Sequence, residues 1–139
     1  MASLIYNSCL DDALRGTIDF DTDSFKAMLV TSAYTPDKDA HLKRSSVTNE
    51  VAASGSYVAG GLAATVTVTK DTANDRIDIS LGAISATTAT ITARGAVYYK
   101  ARGGASSADE LVAYIDFGSD VTSTAGTFSL TASTLRIQN

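Results

Sequence analysis

The sequence predicts a mainly β fold, an antiparallel β-sandwich of jelly-roll kind with about eight strands and a short N-terminal helix. Three observations lead there. Through the second half of the chain apolar and polar residues alternate with period two, as in strands with one buried face. Clusters of Gly, Asp, Asn and Ser interrupt the alternation at short intervals. Ala, Thr, Ser and Val are abundant beside four Phe, six Tyr and no Trp, a set that suits pleated, half-exposed sheets better than a large aromatic core. With 139 residues and a formal net charge of -4, residues 1–139 are expected to form one domain. A domain of that size buries roughly two thirds of the surface its unfolded chain exposes.

The elements follow in order. Between Ser3 and Arg15 the residues Leu4, Ile5, Leu10, Ala13 and Leu14 fall near helical spacing, with Asn7 or Ser8 as cap and Gly16 as stop. Residues 1–24 are therefore expected to be a helix or arm, with Cys9 a small buried residue on the helix. Residues 16–21 alternate but are short and acidic, a brief edge strand or part of that arm. Residues 25–31 form a compact apolar run without a turn residue, expected as a central strand. After Tyr34, Pro36 removes a donor and biases Thr35 to extended backbone, while Asp37 and Asp39 favour turns. The sheet should stop there and give way to a connection over residues 34–62. Its apolar positions Leu42, Val47 and Val51 are sparse, which leaves a short helix or an irregular loop, and a connection of that length is usually functional or poorly ordered.

Residues 64–69 and 76–81 flank the polar turn 71–75 and predict a hairpin with Ile77, Ile79 and Leu81 inward. Further strands are expected at 88–93, 96–101, 111–117, 127–132 and 134–137, separated mostly by the glycines at 82, 95, 103, 104, 118 and 126. Adjacent Tyr98 and Tyr99 point to opposite faces, so one is expected in the core and one on the surface. Residues 25–139 then make the sandwich, whose threonine faces are solvated and whose sheet edges can recruit other chains.

Little chemistry is visible. One cysteine permits no intramolecular disulfide. The mild acidity argues against direct nucleic-acid binding, because Lys43 and Arg44 are the nearest approach to a basic cluster. No apolar run reaches the roughly 18 residues of a membrane span and no signal peptide is visible, so synthesis and folding in the cytoplasm are expected. His41 is the single imidazole, and any Ser-His-Asp triad or histidine metal centre would have to be built around it. Asp37 and Asp39 beside it have the pattern of a solvated turn. Asp19, Asp21 and Asp23 offer oxygens at alternate positions, but Ser24 and Val30 stand where a calcium loop has Gly and Glu. Gly60-Gly61 and Gly103-Gly104 lack the following Lys-Ser/Thr of a phosphate loop. No catalytic residue, cofactor or metal is expected.

Leu29-Val30, Tyr34-Thr35, Asp39, His41, the run Val47-Thr48-Asn49-Glu50-Val51 and the later Leu111-Val112-Ala113-Tyr114-Ile115-Asp116 together resemble the small virion structural proteins of tailed bacteriophages, most of all capsid cement (decoration) proteins. That resemblance implies a non-enzymatic protein on the capsid exterior, made in the host bacterial cytoplasm, which ties neighbouring major capsid subunits together. A homo-oligomer is implied, a dimer foremost. Tyr34, Pro36, His41, Lys43 and Arg44 become candidate capsid or subunit contacts. Two other readings share part of the pattern: a low-copy tail or head-completion protein, and a carbohydrate-binding or adhesive β-sandwich, which would normally present aromatic platforms.

Overall fold

The computed structural model describes residues 2–138. The chain is mainly β, with two antiparallel sheets and one short helix. In order come β1 (Leu4–Ile5), α1 (Asn7–Leu14), β2 (Phe25–Val30), β3 (Leu62–Ala64), β4 (Val66–Asp71), β5 (Arg76–Leu81), β6 (Ile84–Lys100), β7 (Leu111–Leu130) and β8 (Ser133–Gln138). The larger sheet has the order β1-β7-β6-β2-β3 and the smaller β4-β5-β8.

Two long strands replace four expected short ones. Residues 88–93 and 96–100 belong to one strand, β6, and residues 111–117 and 127–130 to one strand, β7. Gly95, Gly118 and Gly126 lie inside these strands and do not end them. Gly95 makes room: a Cβ there would sit 2.6 Å from the ring of Tyr114, on the neighbouring strand. Gly118, at φ +81°, lies in a bulge where Phe117, Gly118, Ser119 and Asp120 stand opposite Arg94 alone, between the pairs Ala93↔Val121 and Gly95↔Asp116. An excess of residues on one strand bends and twists the ribbon without breaking its pairing.

The expected strand 64–69 is instead divided at Thr65, where the chain leaves the larger sheet for the smaller one. Gly82 N–H donates to the Thr65 carbonyl at 2.7 Å and holds that corner. β4 and β5 form the expected hairpin, with Ile79 and Leu81 buried and Ile77 partly so. The opposite face of the smaller sheet is polar: Arg76 lies 3.2 Å from Asp71 and 3.3 Å from Asp78, and Arg136 lies 3.8 Å from Asp78.

The N-terminal segment also differs from expectation. Leu4 and Ile5 pair with Tyr114 and Ala113 as an edge strand, so the helix starts later, at Asn7. Extended Tyr6 is its N-cap without a side-chain cap bond, and the Asn7 amide donates to Asp39. Residues 17–24 contain no strand. They turn between Asp19 and Asp23, whose backbone N–H donates to the Asp19 carbonyl at 2.9 Å.

Both faces of the larger sheet are covered. On one, Phe25, Ala27, Leu29, Tyr98 and Ala113 share a core with Val66, Ile79 and Leu81 of the smaller sheet. On the other, Met28, Val30, Val97, Tyr99 and Tyr114 pack with Tyr6 and Tyr34, and Val47 leans against them. Tyr98 and Tyr99 are therefore both buried, against the expectation that one would face solvent. The second face is closed by the very segment that looked like a surface loop.

Gly61 separates two effects of a positive φ. At φ +88° a Cβ would overlap the Ala27 carbonyl oxygen, whereas Gly103 at φ +80° has open space. Gly103→Ala should cost about 1 kcal/mol from left-handed backbone alone. Gly61→Ala should cost at least about 3 kcal/mol, the range of severe core substitutions. Urea denaturation of the two variants measures the difference.

Candidate functional site

Connection 34–62 carries all five candidate contact residues, and it is bonded down along its length. Its first anchor is a tyrosine chain. Tyr34, 3% exposed, has its hydroxyl 2.8 Å from that of Tyr6 and 2.9 Å from His41 Nδ1. The Asp37 backbone N–H also donates to Nδ1 at 3.2 Å, which makes that nitrogen an acceptor and places the ring proton on Nε2. Tyr34 then donates to His41 and Tyr6 donates to Tyr34. Burial pushes the Tyr6 hydroxyl far above its ordinary pKa, and its bond to Tyr34 pushes the same way, as a donor role requires. The Tyr34 ring stacks on His41 at 5.6 Å and meets Tyr114 edge-on at 6.0 Å. Asp37 is no free carboxylate: its Oδ1 accepts from Asp39 and Ala40 N–H at 2.9 and 3.0 Å and shapes the turn that delivers His41.

The second anchor is a pair of buried acids, Asp109 and Glu110, each 2% exposed. Lys43 Nζ lies 2.7 Å from Glu110 Oε2 and Arg102 Nε 2.8 Å from Glu110 Oε1. Arg44 Nε lies 2.8 Å from Asp109 Oδ2, while Arg102 N–H donates to Asp109 Oδ1 at 2.9 Å. The backbone joins in: Arg44 N–H donates to the Asp109 carbonyl at 2.8 Å, and Lys43 and Glu110 form an antiparallel bridge. The Arg44 guanidinium also lies 5.1 Å from the centre of the Tyr99 ring. Burial pushes the Glu110 carboxyl up, but hydrogen bonds from Arg102 and Lys43 outweigh it and hold the group below the ordinary value.

A third anchor closes the segment. Val51 N–H donates to the Leu29 carbonyl at 3.0 Å and Thr31 N–H to the Asn49 carbonyl at 2.9 Å, extending the sheet beyond β2. Glu50 Oε1 accepts from the Tyr57 hydroxyl at 2.8 Å and from Gly60 N–H at 2.7 Å. Fully buried Tyr57 in turn accepts from Leu29 N–H, and Tyr99 donates to the Gly60 carbonyl at 2.5 Å.

The structure thus brings the expected residues together as supports. Tyr34 and Pro36 are buried, His41 is half-buried on Tyr34, and Lys43 and Arg44 are half-buried on carboxylates, not the solvated pair their sequence position indicated. The exposed large apolar side chains of this segment are Leu42, at 50%, and Val58, at 52%. Asp109, Glu110, Arg102 and Tyr57 lay outside the sequence reading. The one signal for the acids was their place directly before an apolar strand, where a carboxylate must be either solvated or paired.

Asp19 and Asp23 act as turn acceptors: Asp21 N–H donates to Asp19 Oδ1 at 3.0 Å, and Asp23 Oδ2 takes Asp19 N–H at 2.8 Å and Lys100 Nζ at 2.8 Å. Among the described residues no three His, Cys, Asp or Glu side chains converge as a metal site. Cys9 is buried, and burial first, then nearby Asp12, pushes its thiol up to about 12. No helix among the described residues is long and apolar enough to cross a membrane. No protein-family model, curated protein or solved structure matches the chain, so the virion-protein resemblance rests on its sequence motifs alone.

Two predictions come from the buried acids. Arg44→Met leaves the Asp109 carboxylate without its cation and should cost about 3 kcal/mol in urea denaturation. Arg15→Met removes an exposed pair with Asp11 and should leave the midpoint where it was. For pH, Glu110 ionises more readily folded than unfolded, so its contribution is present above its ordinary value of 4.5 and is lost as pH falls through the lower folded value. The denaturation midpoint should hold from neutrality to about pH 5 and fall below it. Glu110→Gln should lower the plateau and flatten that acid limb.

Proposed function

We propose that the protein is a non-enzymatic structural component of a tailed-phage virion that binds the outer surface of the capsid and ties neighbouring major capsid subunits together. One observation carries this reading beyond the sequence motifs. Connection 34–62 is a long segment fixed by three sets of buried bonds while its apolar tips, Leu42 and Val58, stay exposed. A surface ordered before binding loses little conformational freedom on contact, so even a modest apolar contact yields net affinity. The bonds made by Tyr34, Lys43, Arg44 and Glu50 hold its shape.

Repetition supplies the rest. A ligand that engages only the assembled shell stabilises it by about 2.7 kcal/mol per site when its free concentration is a hundredfold above its Kd. A two-fold dimer would grip two capsomers at once and raise the effective strength without new contact types. The core shared by the two sheets supports a sandwich, while the pairing orders lend no support to a jelly roll. The site of action is the virion exterior.

Purified protein added to empty expanded shells should bind in many copies and raise their disruption temperature. Leu42→Asp with Val58→Asp should weaken that binding by about tenfold, the loss of an apolar contact at an interface, without lowering the protein's own melting temperature. Shells that bind none, or that bind a few copies at one vertex, contradict the cement role.

A further inference from the structure

The chain turns from one sheet to the other at Thr65, and beyond that corner β4 is left as an open edge. In the smaller sheet it pairs with β5 alone. The Gly82 N–H that donates to the Thr65 carbonyl makes 65/82 a hydrogen-bonded position of that ladder, continuous with the register Val66↔Leu81. Bonding alternates along an antiparallel strand, so Val66, Val68 and Lys70 turn their backbone N–H and C=O groups outward. None of these groups has a partner among the described residues.

The side chains of the same three residues share one face, opposite Leu81, Ile79 and Ile77, and that face is turned toward the core. Val66 is buried there, Val68 is 40% exposed and Lys70 is exposed. Residues of the N-terminal segment lie beside the strand on this side: Asp21 lines one surface hollow with Val66 and a second with Val68, and Asp19 shares the second. Among the described residues neither the Lys70 ammonium nor the Asp21 carboxylate makes a hydrogen bond or an ion pair. One edge thus carries an unmatched anion near Val66 and an unmatched cation four positions on.

We propose that β4 pairs antiparallel with β4 of a second copy of this chain about a two-fold axis at Val68, so that Lys70 of each copy lies beside Asp21 of the other. Pairing Val68 with its own image sets Val66 opposite Lys70 of the second copy and Lys70 opposite Val66 of the second copy, which uses all three outward-facing residues of each strand. Facing residues of an antiparallel pair lie on the same side of the sheet, so the incoming Lys70 arrives on the face where Asp21 lies. Half-exposed Val68 meets its image on the axis, and on the other face Thr67 meets Thr69. Charge selects the occupant. A lysine on an edge strand ordinarily guards it against association, and two chains of net charge -4 repel each other. Here the register delivers that lysine to a carboxylate without a partner, and this chain carries the cation at the spacing the anion requires.

The inference goes beyond shell binding and does not depend on it. A dimer that ignores shells would uphold the edge and defeat the cement role, and shell binding by a monomer would do the reverse.

Sedimentation equilibrium of the full-length protein from about 10 μM to about 1 mM should show a monomer and dimer in exchange, with a Kd of the order of 0.1 mM or tighter. Amide exchange at Val66, Val68 and Lys70 should slow as the dimer fills. Asp21→Lys and Lys70→Asp each bring like charges together and should weaken the dimer by at least about tenfold. The double variant restores opposite charges and should return the Kd to within about threefold of the native value. Neither side chain bonds to anything in the fold, so these variants should keep the native melting temperature. If one does not, Asp21→Asn and Lys70→Gln take their place, each weakening the dimer and the two together weakening it no further than either alone. A monomer at about 1 mM, a dimer in which those three amides exchange as in the monomer, or a double variant in which the two losses simply add would each overturn the proposal.

Discussion

The architecture depends on placing two carboxylates, Asp109 and Glu110, where water does not reach. A buried carboxylate without partners is costly enough to shift its protonation or displace the segment that carries it. Here three cationic side chains converge on the pair: Lys43 and Arg44 from the long connection, and Arg102 from the turn after β6. The last of these lies close in sequence, whereas the first two are far away. The acids therefore fasten connection 34–62 to the β6–β7 junction, and a loop becomes a packed layer. Around that fastening the rest follows. Tyr99 lies beneath Arg44 and reaches Gly60, Tyr34 closes over Tyr114, and the second face of the larger sheet is dry.

Buried ion pairs are weak evidence for stability but good candidates for fixing one arrangement over others. The cations are partly exposed while the carboxylates are not, so the anions bear most of the desolvation. Polar groups of the connection are fixed by direction, since the backbone bonds from Arg44 and between β2 and Val51 set its register against the sheet. This geometry explains why a segment with only three apolar positions between His41 and Val51 holds its place. It is secured by charge and hydrogen bonds where hydrophobic burial is thin, and its apolar tips are left over for contact.

Much of the fold was legible where local pattern decides it. Period-two alternation located β5 and the β4–β5 turn, because strand faces impose that period whatever the tertiary context, and an unbroken apolar run located β2. The glycines misled for a physical reason: a glycine that makes room for Tyr114, or relieves a bulge opposite Arg94, has the same sequence signature as one that ends a strand. Leu4 and Ile5 were drawn into a helix by spacing alone, whereas pairing with Tyr114 and Ala113 is a long-range contact that no local pattern encodes. The same limit hid the acids. Lys43 and Glu110 are 67 positions apart, and only the fold brings them together. Tyr34, Pro36, His41, Lys43 and Arg44 were conspicuous in the sequence as departures from strand pattern, and the structure explains the departure: most of their side chains serve the connection's own anchoring.

Native-state amide hydrogen exchange, read at single residues, tests most directly the claim that this connection is a layer of the folded body. The Arg44, Val51 and Gly60 amides, which donate to Asp109, Leu29 and Glu50, are predicted to exchange only with global unfolding, at the same free energy as Met28 in β2. Exchange of those three amides through a low-energy local opening while Met28 stays protected would contradict it, and would return residues 34–62 to the status of an ordinary surface loop.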